Sequence, residues 1–337
     1  HPALKLFFDS CLRNVGAGLR AITQKIQFGF PTGKLAGLPR TGGGAHTTAM
    51  PHAPLKLRFL LTSACTARCG YCHNEGQAKD STQLPLHAIT HVLGTLAAGK
   101  RQISEIILSG GEPTLHPQLA EIAQRCKATG ALVSINTHGA HPGLLERALP
   151  WVDELKLHID SFHPQRQKHS MGLSIDKVLQ SIERSRQHPG LRTVVNHPLQ
   201  SLEEACEVIA TTRQLGVECK FIELLDTTQT SPALSDIPWA TLGYHATAPG
   251  FSQHRDCGHR AMARRCNAQQ TNATTLFIGA DGVRQDLQTP SLGPARTFTL
   301  DMLEQQPQPC LQASTSKRPT AQTVRIFSRS NRLPMAA

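Results

Sequence analysis

Three cysteines lie close together in the chain, at positions 65, 69 and 72, in a segment that reads Cys-Thr-Ala-Arg-Cys-Gly-Tyr-Cys. Three thiolates on one short loop can bind three irons of a 4Fe-4S cluster and leave the fourth iron without a protein ligand. The alternatives are a zinc site, which normally uses four ligands, and a disulfide, which reducing compartments disfavour. The spacing therefore favours an iron-sulfur site formed by Cys65, Cys69 and Cys72.

A second motif, Ser109-Gly110-Gly111-Glu112-Pro113, follows a short apolar run. The two glycines allow the backbone to approach a ligand closely, and Glu112 can accept a hydrogen bond from an ammonium group. Pro113 ends the run as a strand. The same four residues, Gly110 to Pro113, are also typical of a plain turn. Together with the cysteine loop, they indicate a site for a ligand that carries an amino group.

Regular elements position both motifs between residues 55 and 226. Short β-rich runs alternate there with amphipathic helical periods, and Ser201 with Glu204 forms a capping box before the last period. Six such units predict a parallel sheet or barrel. The predicted strands cover residues 55–61, 105–109, 132–137, 154–160, 192–199 and 219–226, and the helical periods lie near residues 86–96, 119–126, 144–149, 175–182 and 202–209.

The polarity of the fourth predicted strand indicates what fills the barrel. Its side chains alternate between an apolar set and a polar set, namely Leu155, Leu157 and Ile159 against Lys156, His158 and Asp160. The apolar set must face the helices that cover a parallel sheet, so the polar set faces the lumen. A filled barrel core does not tolerate so many polar groups without partners. We therefore expect a lumen that contains water or a ligand.

With both motifs at strand ends, residues 55–226 resemble the radical S-adenosylmethionine (SAM) superfamily. The resemblance implies a partial (β/α)6 barrel of the TIM type, a 4Fe-4S cluster on Cys65, Cys69 and Cys72, and SAM bound to the open iron through its amino and carboxylate groups. It also implies that Gly110, Gly111, Glu112 and Pro113 cradle the methionine part of SAM, and that Tyr71 occupies the family's aromatic position before the last cysteine. Reductive cleavage of SAM would then produce a 5′-deoxyadenosyl radical, with an electron from a donor such as flavodoxin or ferredoxin.

Further segments are similar to one subfamily, the GTP 3′,8-cyclases of molybdenum cofactor biosynthesis. They are residues 136–139, 158–161 and 221–225, together with Asn196. By that resemblance, Asn136, His158 and Asn196 lie near the carboxylate and ribose of SAM, and Leu225 lies near its adenine. The alternative for each polar residue is a barrel side chain bonded to a neighbour.

The chain departs from this subfamily where the subfamily binds its substrate. Two arginines of the subfamily, one before the first cluster cysteine and one in the second strand, are Ala64 and Ile107 here, and a lysine of the fifth strand is Val194. The carboxyl-terminal Gly-Gly is replaced by Ala-Ala. The substrate-binding residues of the subfamily are therefore largely missing.

A second cluster is the other point of departure. Cys257 and Cys266 have eight residues between them, Cys310 is far along the chain, and Asp286 stands where the subfamily has a cysteine. These residues either form an unusual auxiliary cluster or are structural cysteines without a metal. Because their spacing is irregular and carboxylate is a poor ligand for such clusters, we expect a single cluster. Arg260, Arg264 and Arg265 would then remain for an anionic substrate, unless they form only a solvated basic turn.

Composition narrows the classes of partner. The net charge is +11, which favours anionic partners, whereas aromatic residues make up only 4%, which disfavours a single-strand nucleic-acid groove. No apolar run approaches the ~20 residues that span a bilayer, and no secretory signal is evident. We therefore expect a cytoplasmic protein without a membrane segment, although the chain begins at His1 and this expectation concerns only the sequence given.

The chain divides into three predicted parts. Residues 1–54 form an arm and a Gly/Pro-rich linker, residues 55–226 the barrel, and residues 227–337 an irregular extension that covers the substrate side. The expected function is a radical SAM enzyme that acts on an anionic small molecule such as a nucleotide. A peptide-modifying enzyme with an auxiliary cluster is the second hypothesis, and a relative that binds cluster or SAM without turnover is the third.

Overall fold

The structure is a computed structural model, and it describes residues 53–72, 82–223, 233–265, 275–285 and 291–304. The predicted arm, most of the predicted linker, Leu225, Cys266, Asp286 and Cys310 lie outside these ranges. No helix among the described residues is long and apolar enough to cross a membrane.

Strands and helices alternate through the first part of the described chain. The strands are β1 (Leu55–Leu60), β2 (Ile103–Ser109), β3 (Leu132–Thr137), β4 (Glu154–His158), β5 (Arg192–Leu199) and β6 (Glu218–Glu223). The helices are α1 (Leu86–Ala98), α2 (Leu119–Lys127), α3 (Pro142–Glu146), α4 (Pro164–Met171), α5 (Ile175–Arg186) and α6 (Leu202–Leu215). The later strands are β7 (Tyr244–Ala248), β8 (Phe251–His254), β9 (Arg260–Arg265), β10 (Thr275–Gly279) and β11 (Gly282–Arg284), followed by the short helix α7 (Asp301–Glu304).

All eleven described strands belong to one sheet. Their order is β11-β10-β1-β2-β3-β4-β5-β6-β9-β8-β7. The eight strands from β10 to β9 in this order are parallel, and antiparallel hairpin strands extend the sheet at both edges. The sheet is the parallel sheet of a partial TIM barrel, open between its two edges. The six predicted strands and their parallel arrangement are confirmed.

The core lies between the sheet and the helices. Leu155, Leu157 and Ile159 of the β4 segment are fully buried in one cluster with apolar residues of the helices, such as Ile122 and Val178. Burial of this apolar surface provides the main favourable term for folding. The predicted assignment of the two faces of β4 is therefore confirmed, and the opposite face carries the polar side chains toward the lumen.

Oppositely charged side chains fill the end of the lumen near the amino ends of the strands. Lys156 contacts Glu105 at 3.4 Å and Glu154 at 2.8 Å, and Arg192 pairs with both Glu154 and Glu218. Lys56 also forms an ion pair with Glu105, and Arg260 forms one with Glu218. We call all of these charged residues together the charge ladder. It explains how polar groups are tolerated where a filled barrel has apolar layers, because each charge has an opposite partner.

Some elements were not predicted from the sequence. Helix α4, which begins with Pro164 and carries few apolar residues, has no clear helical period. In the extension, which was expected to be irregular, strands β7, β8, β9 and β11 were not predicted. The capping box before α6 is partly confirmed, since the Ser201 hydroxyl accepts from the backbone N–H of Glu204 at 3.1 Å.

Candidate active site at the carboxyl ends of the strands

The cysteine loop begins where β1 ends. Cys65 and Cys72 are exposed and Cys69 is half-buried. The loop is fixed to the end of helix α4, because the backbone N–H of Arg68 donates to the carbonyl of Met171 at 2.9 Å. The loop therefore lies at the carboxyl edge of the sheet, which is where barrel enzymes place their chemistry.

The surroundings of the loop disfavour free thiolates. Although Cys65 is exposed as a residue, the protein atoms around its thiol partly desolvate it and raise its pKa to about 11. Burial, and next the negative charge of Asp160, raise the pKa of Cys69 to about 12. At neutral pH these thiols are protonated unless a cation stabilises the thiolate, and metal binding supplies that stabilisation.

The side chains of Cys65, Cys69 and Cys72 are of the type that binds an iron-sulfur cluster. Three cysteines of one short loop match the ligands of a 4Fe-4S cluster with one open iron, whereas structural zinc takes four protein ligands. Within the described ranges, no three Cys, His, Asp or Glu side chains are placed to hold a metal ion together. A 4Fe-4S cluster takes one cysteine at each of three irons, so this finding concerns a site for a single ion and not a cluster.

The Gly-Gly turn after β2 packs against the strand that leads into the cysteine loop. A Cβ atom on Gly110, whose φ is +135°, would lie 2.5 Å from the carbonyl oxygen of Thr62, and one on Gly111 would lie 2.4 Å from that of Ala64. The backbone N–H groups of Gly111 and Glu112 donate to these same two carbonyls, at 2.6 and 2.8 Å. The two glycines thus allow two protein segments to approach each other closely, and the approach of a ligand to the same turn stays a prediction.

Glu112 is fully buried and connects the ends of β2 and β3. Its Oε1 accepts from the backbone N–H and hydroxyl of Thr114, at 3.0 and 2.6 Å, and from the hydroxyl of Thr137 at 2.6 Å. Its Oε2 accepts from the backbone N–H of His138 at 2.9 Å and lies 3.2 Å from Nε2 of that residue. Two carboxylate oxygens offer about four acceptor positions, so the chain itself already uses them.

His138 extends this network to the cysteine loop. Its Nδ1 accepts from the backbone N–H of Ala140, so the ring proton lies on Nε2 in the neutral form. Nε2 lies 3.1 Å from the hydroxyl of Thr66, which also lies 3.1 Å from Nε2 of His141. Burial lowers the pKa of His138, which favours the neutral ring. Thr66, next to Cys65, is therefore linked to Glu112 through His138.

Two asparagines in the lumen have acceptors without a partner. The Oδ1 atoms of Asn136 and Asn196 are buried and have no hydrogen-bond partner among the described residues. Buried acceptors of this kind are uncommon in native proteins unless a ligand or water meets them. Asn196 lies opposite His158 in the register of β4 and β5. These two side chains thus fit a ligand that donates hydrogen bonds, such as a ribose.

Tyr71 reaches from the cysteine loop to the end of β4. Its hydroxyl lies 2.6 Å from Nε2 of His158 and donates to Oδ1 of Asp160. Burial, and next the charge of Asp160, raise the pKa of Tyr71, so the hydroxyl keeps its proton. The structure therefore brings together two predicted site residues, because the hydroxyl of Tyr71 contacts the imidazole of His158.

The predicted site residues that the structure describes lie near the carboxyl ends of the parallel strands or in the loops that follow them. Leu225 lies outside the described residues. Sequence reasoning missed the roles of Thr66, Thr137, His138 and Asp160. A usable signal was present, because Thr137, His138 and Asp160 stand at the carboxyl ends of neighbouring parallel strands. Side chains at such positions converge on one site.

The residues expected near a second cluster or the substrate are spread along β9. Cys257 is exposed in the turn before this strand, and Arg260 at its amino end pairs with Glu218 at 3.3 Å. Arg260 is thus part of the charge ladder, and the expectation that it remains unpaired for substrate is wrong. The backbone of Arg264 and Arg265 lies opposite Ile222 and Glu223, at the carboxyl end where the cysteine loop lies.

Residues 59–215 match the family model of the radical SAM superfamily. The cofactors of the family are a 4Fe-4S cluster and SAM. The chain is 33% identical over 182 residues to a probable GTP 3′,8-cyclase of Saccharolobus solfataricus, covering 50% of this chain and 56% of that protein. It is 28% identical over 181 residues to the GTP 3′,8-cyclase of Chlorobaculum tepidum, covering 50% and 53%. The chain thus spans about half the length of these curated relatives.

Solved structures share the fold at low sequence identity. The Streptococcus suis protein SuiB, bound to precursor peptide SuiA, has a TM-score of 0.59 and 13% identity, with 74% of this chain and 64% of that chain covered. Native anSMEcpe with bound AdoMet and a peptide has a TM-score of 0.53 and 14% identity, with 75% and 80% covered. At these identities the similarity shows a shared fold only. The structural matches cover about three quarters of this chain, whereas the sequence matches to the GTP 3′,8-cyclases cover half of it.

Proposed function

We propose that this protein is a radical SAM enzyme whose cluster is held by Cys65, Cys69 and Cys72. A 4Fe-4S cluster bound by these cysteines would supply the reductive cleavage of SAM to methionine and a 5′-deoxyadenosyl radical that takes a hydrogen atom from the substrate, with the electron coming from an external donor such as flavodoxin or ferredoxin. The backbone hydrogen bonds of Gly111 and Glu112, on the Gly-Gly-Glu-Pro turn, to the segment that leads into the cysteine loop carry this proposal.

We assign the SAM site to the space between this turn and the lumen asparagines. Backbone groups of Gly110 to Pro113 would hold the methionine part, and the unpartnered Oδ1 atoms of Asn136 and Asn196 would accept from the ribose hydroxyls. Glu112 would hold the turn in place. Direct acceptance of the SAM ammonium by Glu112 requires one of its present donors to leave. Roles for His158, Tyr71 and Leu225 in SAM binding stay predictions.

The proposed substrate is an anionic small molecule such as a nucleotide. The net charge of +11 and the backbone position of Arg264 and Arg265 at the carboxyl end of β9 support it. The similarity to GTP 3′,8-cyclases over half their length also supports it. The absence of that subfamily's substrate residues at Ala64, Ile107 and Val194 indicates a substrate other than GTP in its usual binding mode. A reducing compartment such as the cytoplasm suits this chemistry.

A peptide substrate is the second candidate. It is supported by the shared architecture with SuiB, which was crystallised with a precursor peptide and resembles 74% of this chain. An auxiliary cluster is part of this alternative. Of the cysteines expected for it, Cys257 is exposed in the turn before β9, and Cys266 lies outside the described residues.

The enzyme is tested by anaerobic reconstitution with iron and sulfide, followed by measurement of 5′-deoxyadenosine after reduction with dithionite. We expect the native chain to cleave SAM and the triple variant with Ala at positions 65, 69 and 72 to lose both cluster absorbance and cleavage. Cys257→Ala, which removes another exposed cysteine, is the matched control and should retain both. A triple variant that still cleaves SAM, or a native chain that binds the cluster but never cleaves SAM, would contradict the proposal.

The substrate class is tested by the rate of SAM cleavage in the presence of candidates. We expect nucleoside triphosphates to stimulate formation of 5′-deoxyadenosine, and the double variant Arg264→Ala/Arg265→Ala to lose the stimulation while its cluster content is unchanged. Stimulation by cysteine-containing peptides and not by nucleotides would favour the second candidate.

A further inference from the structure

Helix α4 ends beside the cysteine loop. The buried side chain of Met171, at the carboxyl end of this helix, belongs to a small apolar cluster. Ala67 and Cys69 of the loop pack against that cluster, and the backbone N–H of Arg68 donates to the carbonyl of Met171 at 2.9 Å. Whatever binds to the exposed side of this helix end is therefore close to the three cysteines.

The exposed side of α4 is polar and basic. The helix reads Pro-Gln-Arg-Gln-Lys-His-Ser-Met, and its buried residues are Gln167 and Met171, one turn apart. Arg166 is exposed and pairs with two glutamates of α6. The exposed Lys168 has no carboxylate within ion-pair distance among the residues that the structure describes, and its Nζ donates to the carbonyl of Gly172 at 3.3 Å.

A second cation from the cysteine loop reaches the same point. A Cβ atom built on Gly172 would lie 3.7 Å from both Cγ and Cδ of Arg68, so the stem of this arginine passes Gly172. Arg68 is exposed and, within the described ranges, also has no carboxylate in ion-pair distance. We call Arg68 and Lys168 the basic patch. It places two positive charges without acidic partners in the described chain at the surface beside the cysteine loop.

We propose that the basic patch is the docking site of a small acidic electron-transfer protein that reduces the cluster. The inference rests on the function proposed above, since radical SAM enzymes use electron donors. In the proposed step the docked protein loses one electron and is oxidised, and the cluster gains that electron and is reduced. No atom is transferred between the two proteins.

An electron donor fits this surface better than the substrate does. The substrate must enter the lumen, whereas α4 belongs to the layer of helices outside the sheet. An electron needs only to reach the cysteine loop, where Cys65 and Cys72 are exposed. Electron-transfer complexes have small interfaces, and opposite charges guide the encounter. The net charge of +11 attracts the same kind of partner at long range.

The test uses reduced flavodoxin with a negative net charge as the protein donor and photoreduced deazariboflavin as a small uncharged reductant. We expect Lys168→Glu to slow reduction of the reconstituted cluster by flavodoxin by about tenfold at low salt, and to weaken binding of oxidised flavodoxin. Reduction by deazariboflavin and iron content should be native. Lys168→Arg keeps the charge and should keep the native rate.

Lys100→Glu is the matched control for net charge. Lys100 is exposed and precedes β2, at the amino ends of the strands, so its reversal should leave the rate with flavodoxin near the native value. The difference between Lys168→Glu and the native chain should shrink at about 0.5 M salt, because salt screens exposed charges.

A native rate with flavodoxin in Lys168→Glu overturns the inference, and so does an equal loss in Lys100→Glu. An equal loss with both reductants also overturns it, because Lys168 would then act on the cluster and not on the donor. If Lys168→Glu does not fold, Arg68→Gln decides. A loss of about threefold with flavodoxin alone supports the inference, and an unchanged rate overturns it.

The proposed function and this inference fail in different ways. A native chain that binds no cluster refutes the proposed function and the inference with it. A native chain whose cluster is reduced by deazariboflavin and cleaves SAM, but which does not bind flavodoxin or an acidic ferredoxin, refutes this inference alone.

Discussion

The hydroxyl of Thr137 at the end of β3 donates to Oε1 of Glu112, on the turn after β2, at 2.6 Å. Both side chains are buried, so this bond joins two neighbouring strand ends away from water. The turn that carries the Gly-Gly-Glu-Pro motif is therefore held from β3 as well as from the cysteine loop.

The first prediction concerns the stability that this bond contributes. Thr137→Val keeps the shape of the side chain but removes the hydroxyl, which donates to Glu112 and accepts from the backbone N–H of Gly139 at 2.9 Å. It should lower the free energy of unfolding by at least about 1.5–3 kcal/mol, the scale of a hydrogen bond to a charged group. Glu112→Ala leaves several buried donors without an acceptor and should cost more. Urea unfolding measures both changes, and a Thr137→Val variant as stable as the native chain would contradict the prediction.

The second prediction separates two roles of Glu112 in SAM binding. If Glu112 acts by holding the turn, Thr137→Val should weaken SAM binding in the same direction as Glu112→Ala, with cluster content preserved. If Glu112 instead accepts directly from the SAM ammonium, only Glu112→Ala should weaken binding, by about 1.5–3 kcal/mol. Calorimetric titration of the reconstituted variants with SAM distinguishes the two results.

The third prediction concerns the two glycines of the same turn. Gly110→Ala and Gly111→Ala each force a Cβ against a backbone carbonyl at 2.5 Å or less, so the turn must move away from the cysteine loop and both variants should unfold at lower temperature. Gly94→Ala is the control, since no atom lies within 4 Å of its added Cβ and alanine is the better residue inside helix α1. Melting temperatures equal to the native value in both turn variants would show that the approach is not required.

The fourth prediction concerns pH and the charge ladder. Burial opposes ionisation of Glu105, but the charges of Lys156 and Lys56 outweigh it and lower its pKa below the ordinary value. The stability that a carboxylate with a lowered pKa contributes is present above the unfolded pKa and is lost as the pH falls through the folded pKa. Glu105→Gln should therefore be less stable than the native chain at pH 7, and the difference should shrink below about pH 4.5. A difference that does not change with pH would exclude the ion pairs as its cause.

The fifth prediction concerns the number of clusters. With one cluster, anaerobic reconstitution should give about four irons per chain. Cys257→Ala and Cys266→Ala should not change that number. A value near eight irons, halved when both residues are replaced, would return the protein to the two-cluster families.

Much of the barrel could be predicted because each strand is bounded by turn residues and each covering helix has an apolar face. The polar face of β4 could also be predicted, because Lys156 and His158 alternate with the buried residues Leu155 and Leu157. The strands of the extension were harder to predict. β7 has mostly exposed, small and polar residues, and β9 reads Arg-Ala-Met-Ala-Arg-Arg, whose pairing depends on a distant β6 rather than on local pattern.

The candidate site could be predicted as a set of motifs but not as a network. Cys65 and Glu112 are recognisable from spacing, because a thiolate loop and a Gly-Gly turn have local signatures. The bonds of Glu112 to Thr137 and of Tyr71 to Asp160 depend on which strands are neighbours and on side-chain direction at their ends. No local signal in a single sequence contains that information, and only the assembled sheet brings these residues together.

The position of β10 beside β1 has a consequence for the order of folding. Leu57 pairs with Leu276, so the strand that completes one side of the parallel sheet is synthesised long after the strand it joins. Until then, the free edges of β1 and β6 present unpaired backbone groups on apolar strands, which favours association with other chains. A nascent chain that ended near residue 226 would contain the cysteine loop, the Gly-Gly turn and six parallel strands, yet would lack both neighbours that cover them. Expression of that fragment should therefore yield aggregates.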